Sequence, residues 1–211
     1  GMGVRLSWFV CIPVTIGLIL VSDETIRILF ERGSFTTEST ELTAAALNYH
    51  MLGLVFISLT RIYLPCYYAF KDTWTPLWSA VISLVINVVG CYALAPSLGA
   101  PGIALANSLS ALGQLVVLRL LLRKHLELGF HAHIAHSIGR TIVCGGLAGV
   151  TVWLLKGVLQ TEVMTPSLEL GFAYLLLACA GIGVFVVSAL VVGHPELRKV
   201  REIVARRRSR S

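Results

Sequence analysis

The sequence predicts an all-α integral membrane protein with six transmembrane helices. Of its 211 residues, 56% are hydrophobic and only 13% are charged, and the mean hydropathy is +0.81. A soluble domain has about 45–50% apolar residues with glycine included. The apolar residues also form runs close to the roughly 20 residues that a helix needs to cross a bilayer. We expect spans at 6–22, 42–70, 76–95, 102–122, 141–159 and 168–192.

The first span is followed by the stretch RILFERGSFTTESTE, residues 27–41, which gathers two arginines and three glutamates. We interpret it as a solvated connection between two spans. Thr36 or Thr37 can cap the next helix by accepting a backbone N–H bond. Glu38 and Glu41 then lie near the positive end of that helix dipole.

The second span carries an arginine and a proline. Arg61 lies nine positions before Phe70, roughly 14 Å from the end of the helix. An arginine at depth costs about 2.5–3.5 kcal/mol on insertion scales unless it is paired or hydrated. It either faces a cavity or extends toward lipid headgroups. Pro65 removes the backbone bond to the Arg61 carbonyl and is a candidate hinge.

The third and fourth spans carry polar stripes. The third has small or polar residues every four positions, at Ser79, Ser83, Asn87 and Cys91. The fourth has Asn107, Ser110 and Gln114. Each set shares one helix face, and the tight turn APSLGAPG makes the two helices antiparallel neighbours. The stripes can face each other or a common cavity, or they serve only helix packing through interhelical hydrogen bonds.

The last two spans lack central charged or amide side chains, so we expect no polar transport path between them. Gly145 and Gly149 form a GxxxG pattern that lets another helix approach closely. The basic stretch between the fourth and fifth spans, residues 123–140, is expected to lie along the membrane surface.

The basic residues predict the orientation in the membrane. Thirteen of the 17 Lys and Arg residues fall on the side shared by the two termini. Cytoplasmic loops retain an excess of these residues, so we expect both termini in the cytoplasm. The basic tail, residues 194–211, is better explained by topology and anionic lipids than by nucleic acid.

Other kinds of chemistry find little support in the sequence. The five cysteines, Cys11, Cys66, Cys91, Cys144 and Cys179, show no CxxC spacing. His131, His133 and His136 contain no pair at the i and i+4 positions of a helix. We therefore expect no disulfide framework and no metal site. There is no Walker loop, no nucleophile–base pair and no pair of carboxylates within a span, so we expect neither an enzyme nor a bound cofactor.

Three ordered segments resemble the MurJ/MviN family of lipid II flippases, in the multidrug/oligosaccharidyl-lipid/polysaccharide exporter superfamily. They are LFERGSFT, YYAFKDTWTP and GAPGIALANSLSALGQLVVL. The resemblance extends from about residue 6 to residue 124, and only the hydrophobic pattern agrees beyond that. The family resemblance implies a transporter of 14 helices in two lobes, which moves lipid-linked peptidoglycan precursor across the bacterial cytoplasmic (inner) membrane by alternating access.

The resemblance also implies how the chain is organised. Residues 1–124 would be the last four helices of the second lobe, and 125–140 a cytoplasmic interfacial connection. Residues 141–193 would be two C-terminal helices that help form a groove for the polyprenyl tail, and 194–211 a cytoplasmic tail. The chain would then be a fragment whose partners include the missing N-terminal helices, membrane lipids, and lipid II or a related polyprenyl-pyrophosphate saccharide.

The resemblance places a basic residue at the position of Arg61, facing the cavity, where an arginine suits the pyrophosphate of the substrate. The candidate substrate-binding residues are Arg61, Ser83, Asn87, Asn107 and Gln114. Two other functions are considered: a flippase for another polyprenyl-linked saccharide, and a non-transporting membrane scaffold or partner-binding module.

Overall fold

The computed structural model describes residues 2–31, 33–122, 132–159 and 168–193. Within these ranges the regular structure is entirely helical: α1 (Met2–Leu20), α2 (Ser22–Phe30), α3 (Thr37–Ala69), α4 (Trp74–Leu98), α5 (Ala100–Leu122), α6 (Ala132–Leu159) and α7 (Leu168–Val191). All except α2 are long and apolar enough to cross a membrane. The predicted fold class, with six spanning helices, is confirmed.

The connection after the first span is more ordered than we expected. The first helix is interrupted at Val21, and the first half of the expected connection then forms the short helix α2. Asp23 and Glu24 lie in the first turn of α2, where their charges favour the helix dipole. Ile26 is buried. The solvated connection is therefore limited to the few residues between α2 and α3.

Helix α3 begins earlier than the expected span, because Thr36 caps it at the predicted position. The Thr36 side chain accepts a hydrogen bond from the backbone N–H of Ser39 at 3.3 Å. The helix has 33 residues and continues through Pro65. It is longer than the roughly 20 residues that a perpendicular crossing needs.

Helices α3 and α5 pack closely in the N-terminal part of the chain. A Cβ atom added at Gly53 would lie 2.6 Å from the Ser108 hydroxyl, so only glycine allows this approach. The same hydroxyl donates to the Tyr49 carbonyl at 2.6 Å. Nearer the other end of α3, the buried Tyr67 hydroxyl donates to the Leu118 carbonyl. These contacts hold α3 parallel to α5.

Helix α4 packs almost entirely on α5 and hardly touches α3. A turn at Gly99, with φ of 63°, connects the two helices, and their close approach continues where Gly90 meets Ala106. The remaining surface of α4 is exposed and apolar, as at Val85 and Tyr92. An apolar surface of this kind is suited to lipid or to further helices.

Helices α1, α6 and α7 pack together on the other side of α3. A Cβ atom added at Gly149 would lie 2.8 Å from the Ile16 side chain, and one at Gly145 would lie 3.1 Å from it. The prediction that this GxxxG pattern admits another helix is confirmed, and that helix is α1. Helix α6 begins at Ala132, nine residues before the expected span.

Candidate functional site

Helices α3, α4 and α5 lie side by side with α5 in the middle. Helices α3 and α4 pack against different faces of α5 and barely meet each other. Helical spacing puts five polar side chains on one side of these three helices, and we call this side the polar groove: His50, Arg61, Asn87, Asn107 and Gln114. The first two come from α3, the third from α4 and the last two from α5.

The α3 side of the polar groove carries His50 and Arg61, and both are exposed. They are 11 residues apart, which is very nearly three helical turns, so they project from the same side about 16 Å apart along the axis. A ring nitrogen of His50, Nδ1, lies 3.2 Å from the Asn107 side-chain nitrogen. This contact shows that His50 of α3 and Asn107 of α5 lie on the same side of the two helices.

On α5, three consecutive residues point in three directions because each residue turns the helix by about 100°. Ala106 meets Gly90 of α4, and Ser108 bonds to the backbone of α3. Asn107 therefore projects into the sector between the two neighbours. Gln114 lies seven residues further on, close to two turns, and projects from the same side.

The polar stripe of α4 divides between packing and groove. The Ser83 hydroxyl donates to the Ser110 carbonyl of α5 at 3.1 Å. The buried Ser79 hydroxyl donates to the Pro76 carbonyl within α4 at 2.7 Å. Asn87 lies one turn beyond Ser83, rotated from it by about 40°. Since α4 is antiparallel to α5, this rotation turns Asn87 toward the side of Asn107.

Ser83 thus belongs to the α4–α5 contact, whereas the other four predicted binding residues line the groove. Asn87, Asn107 and Gln114 are half-buried, so each has a face toward the groove. Cys91 follows Asn87 by one turn, and its sulfur lies 3.8 Å from the Asn87 side-chain oxygen. Helix packing is therefore one use of the α4 stripe, at Ser83, and a binding role for Asn87 stays a prediction.

Arg61 provides the positive charge of the groove. In the part of the chain that the structure describes, the ion pairs are Arg27 with Glu31 at 3.6 Å and Lys156 with Glu24 at 3.0 Å, and neither involves Arg61. An arginine within a span that has no protein carboxylate beside it favours water or an anionic group in the groove.

A second feature is an apolar cavity of about 410 Å³ between α1, α6 and α7. We call it the apolar cavity, and its lining includes Phe9, Val14, Gly149, Ala178 and Phe185. It is formed on the far side of α1 from α3, so the α1–α3 contact separates it from the polar groove. Its walls offer few polar atoms and can accommodate only a hydrocarbon or another apolar group.

Two charged or polar positions were missed by sequence reasoning. His50 was not singled out, although its spacing of 11 from Arg61 was a usable signal. Lys156 counted only toward the charge of one membrane side, yet its Nζ contacts Glu24 and also donates to the Leu20 carbonyl at 3.3 Å. Glu24 is only 1% exposed. Because this pair is separated by 132 residues, its formation cannot be read from local spacing.

Some sequence predictions fall partly or wholly outside the described residues. The side chains of His131 and His133 and the tail 194–211 lie there, so the metal and nucleic-acid predictions for them stay predictions. Across the described ranges, no three His, Cys, Asp or Glu side chains come together as a metal site would require.

Six apolar helices that are long enough to span a bilayer define a multi-pass membrane protein. The chain belongs to the lipid II flippase MurJ family, whose family model matches residues 2–174. The match includes α6 and the start of α7, and so extends beyond the segment 6–124 in which the motifs lie.

Relatives and a solved structure agree with this membership. A probable lipid II flippase MurJ of Rickettsia prowazekii is 33% identical over 153 residues, which cover 72% of this chain and 30% of the relative. The probable lipid II flippase MurJ of Thermotoga maritima is 28% identical over 194 residues, which cover 92% of this chain and 37% of the relative. The solved structure of a lipid II flippase MurJ in an inward closed conformation matches with a TM-score of 0.74 and 24% sequence identity. The match covers 90% of this chain and 37% of the solved one. At that identity the structural likeness shows the fold. The chain spans about a third of the length of these proteins.

Proposed function

We propose that this chain, as part of a protein of the length of its relatives, helps to translocate lipid II across the cytoplasmic membrane by alternating access. The observation that carries the proposal is Arg61, a permanent cation within a span that faces a groove of neutral polar side chains. Such a groove suits a ligand with an anionic centre and a large hydrogen-bonding headgroup. The names of the family and of the relatives agree with this substrate.

In this proposal Arg61 binds the pyrophosphate. Its guanidinium presents paired N–H donors that match two phosphate oxygens, and it stays charged at every relevant pH. Asn87, Asn107 and Gln114 then offer amide donors and acceptors to the saccharide and peptide. The anion compensates the arginine, and the amides replace water around the headgroup as it crosses.

The polyprenyl tail is assigned to the apolar cavity. The family resemblance led us to expect a tail groove at the last two helices, and the cavity is bounded by α6 and α7 together with α1. A hydrocarbon chain gains about 0.8 kcal/mol per CH₂ group that leaves water, but it gains little by leaving lipid. The cavity therefore guides the tail more than it holds it.

The alternating motion is assigned in part to Pro65. Proline has no backbone N–H, so the carbonyl one turn earlier, that of Arg61, lacks its usual partner. Helix α3 can bend at this point at lower cost than elsewhere. A bend here would move the last turn of α3, which includes Tyr67, relative to Arg61 while the Gly53–Ser108 contact stays closed.

We also propose in which membrane the protein lies and how it is oriented there. The protein lies in the inner membrane with both termini in the cytoplasm, which is supported by the excess of Lys and Arg on that side. A flippase moves its lipid between leaflets without making or breaking a covalent bond. The proposal therefore includes no catalytic residue, no metal and no cofactor.

The proposal is tested in bacteria depleted of their own lipid II flippase. The full-length protein that contains this chain should restore growth, whereas the same protein with Arg61→Ala, present at equal level in the membrane, should not. The 211-residue chain alone should also fail. If the full-length protein is abundant but does not restore growth, another polyprenyl-linked saccharide becomes the better candidate substrate. If Arg61→Ala acts only by lowering the amount of protein, a scaffold role is favoured.

A further inference from the structure

We propose that His50 and Asn107 form a second subsite in the polar groove, which binds the uncharged saccharide–peptide part of the substrate. The inference rests on the proposed function and adds a residue and a division of labour to it. Arg61 recognises the pyrophosphate near one end of α3, and the His50–Asn107 pair recognises hydroxyl and amide groups nearer the other end. In the proposed orientation, this second subsite lies on the outer side.

The chemistry of the pair follows from the contact between its two side chains. The Asn107 side-chain nitrogen carries two hydrogens and lies 3.2 Å from His50 Nδ1. A hydrogen bond between these two atoms requires Nδ1 to accept, which is the tautomer that carries the ring proton on Nε2. The pair then presents an N–H donor on His50 and the amide oxygen of Asn107 as an acceptor. A neutral donor beside a neutral acceptor matches sugar hydroxyls and peptide groups better than it matches a phosphate.

The position of the pair also fits a substrate extended along the groove. His50 and Arg61 face the same side of α3, about 16 Å apart. An extended peptide spans about 3.5 Å per residue, so a disaccharide with a short peptide can reach from one subsite to the other. Gln114 lies seven residues after Asn107 on the same side of α5, and it offers a further amide group between the two ends.

A purely structural role for the pair is less economical. Helices α3 and α5 are already fixed by Ser108, whose hydroxyl donates to the Tyr49 carbonyl at 2.6 Å beside the close contact of Gly53. That contact is buried, whereas His50 is exposed on the groove side. A solvent-accessible neutral hydrogen bond adds little to stability, because water competes for both partners.

The test compares two ligands on the purified full-length protein. One is lipid II, and the other is undecaprenyl pyrophosphate, which has the same anionic centre and tail but no saccharide or peptide. We expect His50→Ala and the larger His50→Phe to weaken lipid II binding about fivefold, the loss of one or two hydrogen bonds, with binding of undecaprenyl pyrophosphate unchanged. Arg61→Ala should weaken both. Leu52→Ala, an exposed apolar position two residues along α3, is the matched control and should weaken neither.

The outcomes separate this inference from the proposed function. If Arg61→Ala weakens both ligands but both His50 variants bind lipid II like the unaltered protein, the second subsite is wrong and the proposed function stands. If the His50 variants weaken both ligands equally, His50 acts on the pyrophosphate or on the fold, and the subsite is again wrong. If the unaltered protein binds neither ligand, the proposed function itself fails.

Discussion

Arg61 places a permanent positive charge on the exposed side of α3, within the membrane-spanning part of the helix. Two explanations were open from the sequence: a cavity or the headgroups at the nearer surface. Its 11-residue spacing from His50, together with the contact between His50 and Asn107 at 3.2 Å, puts the arginine on the groove side. That position favours the cavity explanation, because the same side carries the amide groups of α5.

If Arg61 binds pyrophosphate through paired N–H groups, its geometry matters as well as its charge. Arg61→Lys should lower affinity for undecaprenyl pyrophosphate about tenfold, because a lysine replaces the bidentate contact with a point charge. Arg61→Gln should lower it further. The measurement is ligand binding to the purified full-length protein, with Arg119→Gln as the control for loss of a basic residue elsewhere. Equal affinity of the unaltered protein and Arg61→Gln would contradict a role in pyrophosphate binding.

At this scale the sequence predicted the residues that are unusual for their surroundings. Arg61 and Asn107 are conspicuous because a polar side chain in a span is expensive. His50 was overlooked although it too lies within a span, 13 residues after the start of α3. Lys156 was also read as an ordinary surface charge, and only the fold shows that Glu24 approaches it across 132 residues.

Helix boundaries were less accurate than helix existence, and α2 shows why. Its sequence SDETIRILF mixes charged and apolar residues, which is too polar for a span and so was read as a connection. An amphipathic helix lying against other helices has the same composition. Ile26 and Glu24 are buried in a helix that packs on α3 and α7, and Glu24 also pairs with Lys156 of α6. Hydropathy along the chain does not report such contacts.

The ion pair of Glu24 and Lys156 connects the start of α2 to the last turn of α6. Removing one partner leaves a buried charge uncompensated, a loss of up to about 3–5 kcal/mol. We expect Glu24→Gln and Lys156→Met each to lower the melting temperature by several degrees, and the double variant to lower it less than the two losses added together. Thermal unfolding in detergent measures this.

The matched control is the pair of Arg27 and Glu31, one turn apart on α2. Pairs with this spacing contribute only about 0.3–0.5 kcal/mol, so Glu31→Gln tests the loss of a carboxylate whose charged partner lies one turn away. Glu31 also accepts a hydrogen bond from Thr40 at 2.8 Å, and the glutamine oxygen can still accept that bond. Strictly additive losses for Glu24 and Lys156 would show that the two side chains do not act as a pair.

Replacing Pro65 should have opposite effects on the stability of the protein and on its function. Pro65→Ala allows the backbone N–H to bond the Arg61 carbonyl, so α3 should become stiffer and the protein at least as heat-stable. If the hinge is needed for alternating access, flippase-depleted cells that carry the Pro65→Ala protein should grow less than cells with the unaltered protein, although the variant is no less heat-stable. Pro13, within α1, gives the control substitution Pro13→Ala. Full growth with Pro65→Ala would show that α3 does not bend there during transport.

The whole chain combines two separate surfaces, the polar groove on one side of α1–α3 and the apolar cavity on the other. The number of spans and their order were predictable from hydropathy, because each apolar run must cross the bilayer. The pairing was not. Nothing local in the sequence states that α1 packs on α6 across more than a hundred residues, or that α5 lies between α3 and α4. The motif resemblance supplied the family, and its expectation of a tail site at the last two helices did not include α1.

Filling the apolar cavity tests its assignment to the tail. Ala178 lines the cavity, and Ala178→Trp should occupy much of its 410 Å³ without adding charge. We expect transport of lipid II with its long tail to fall several-fold, while a short-tailed analogue with the same headgroup is transported as before. Leu175→Trp, on an exposed part of α7, is the control. An equal fall in the transport of both lipids would place the tail elsewhere.

The central claim is that the protein carrying this chain moves lipid II between leaflets, and it is tested most directly by counting lipid II in the outer leaflet. Cells depleted of their own flippase are given the full-length protein, and an added hydrolase that cuts lipid II but cannot enter the cell measures the exposed fraction. Our account predicts that this fraction returns with the unaltered protein and stays low with Arg61→Ala at equal membrane level. An unchanged, low fraction with the unaltered protein at normal level would contradict it.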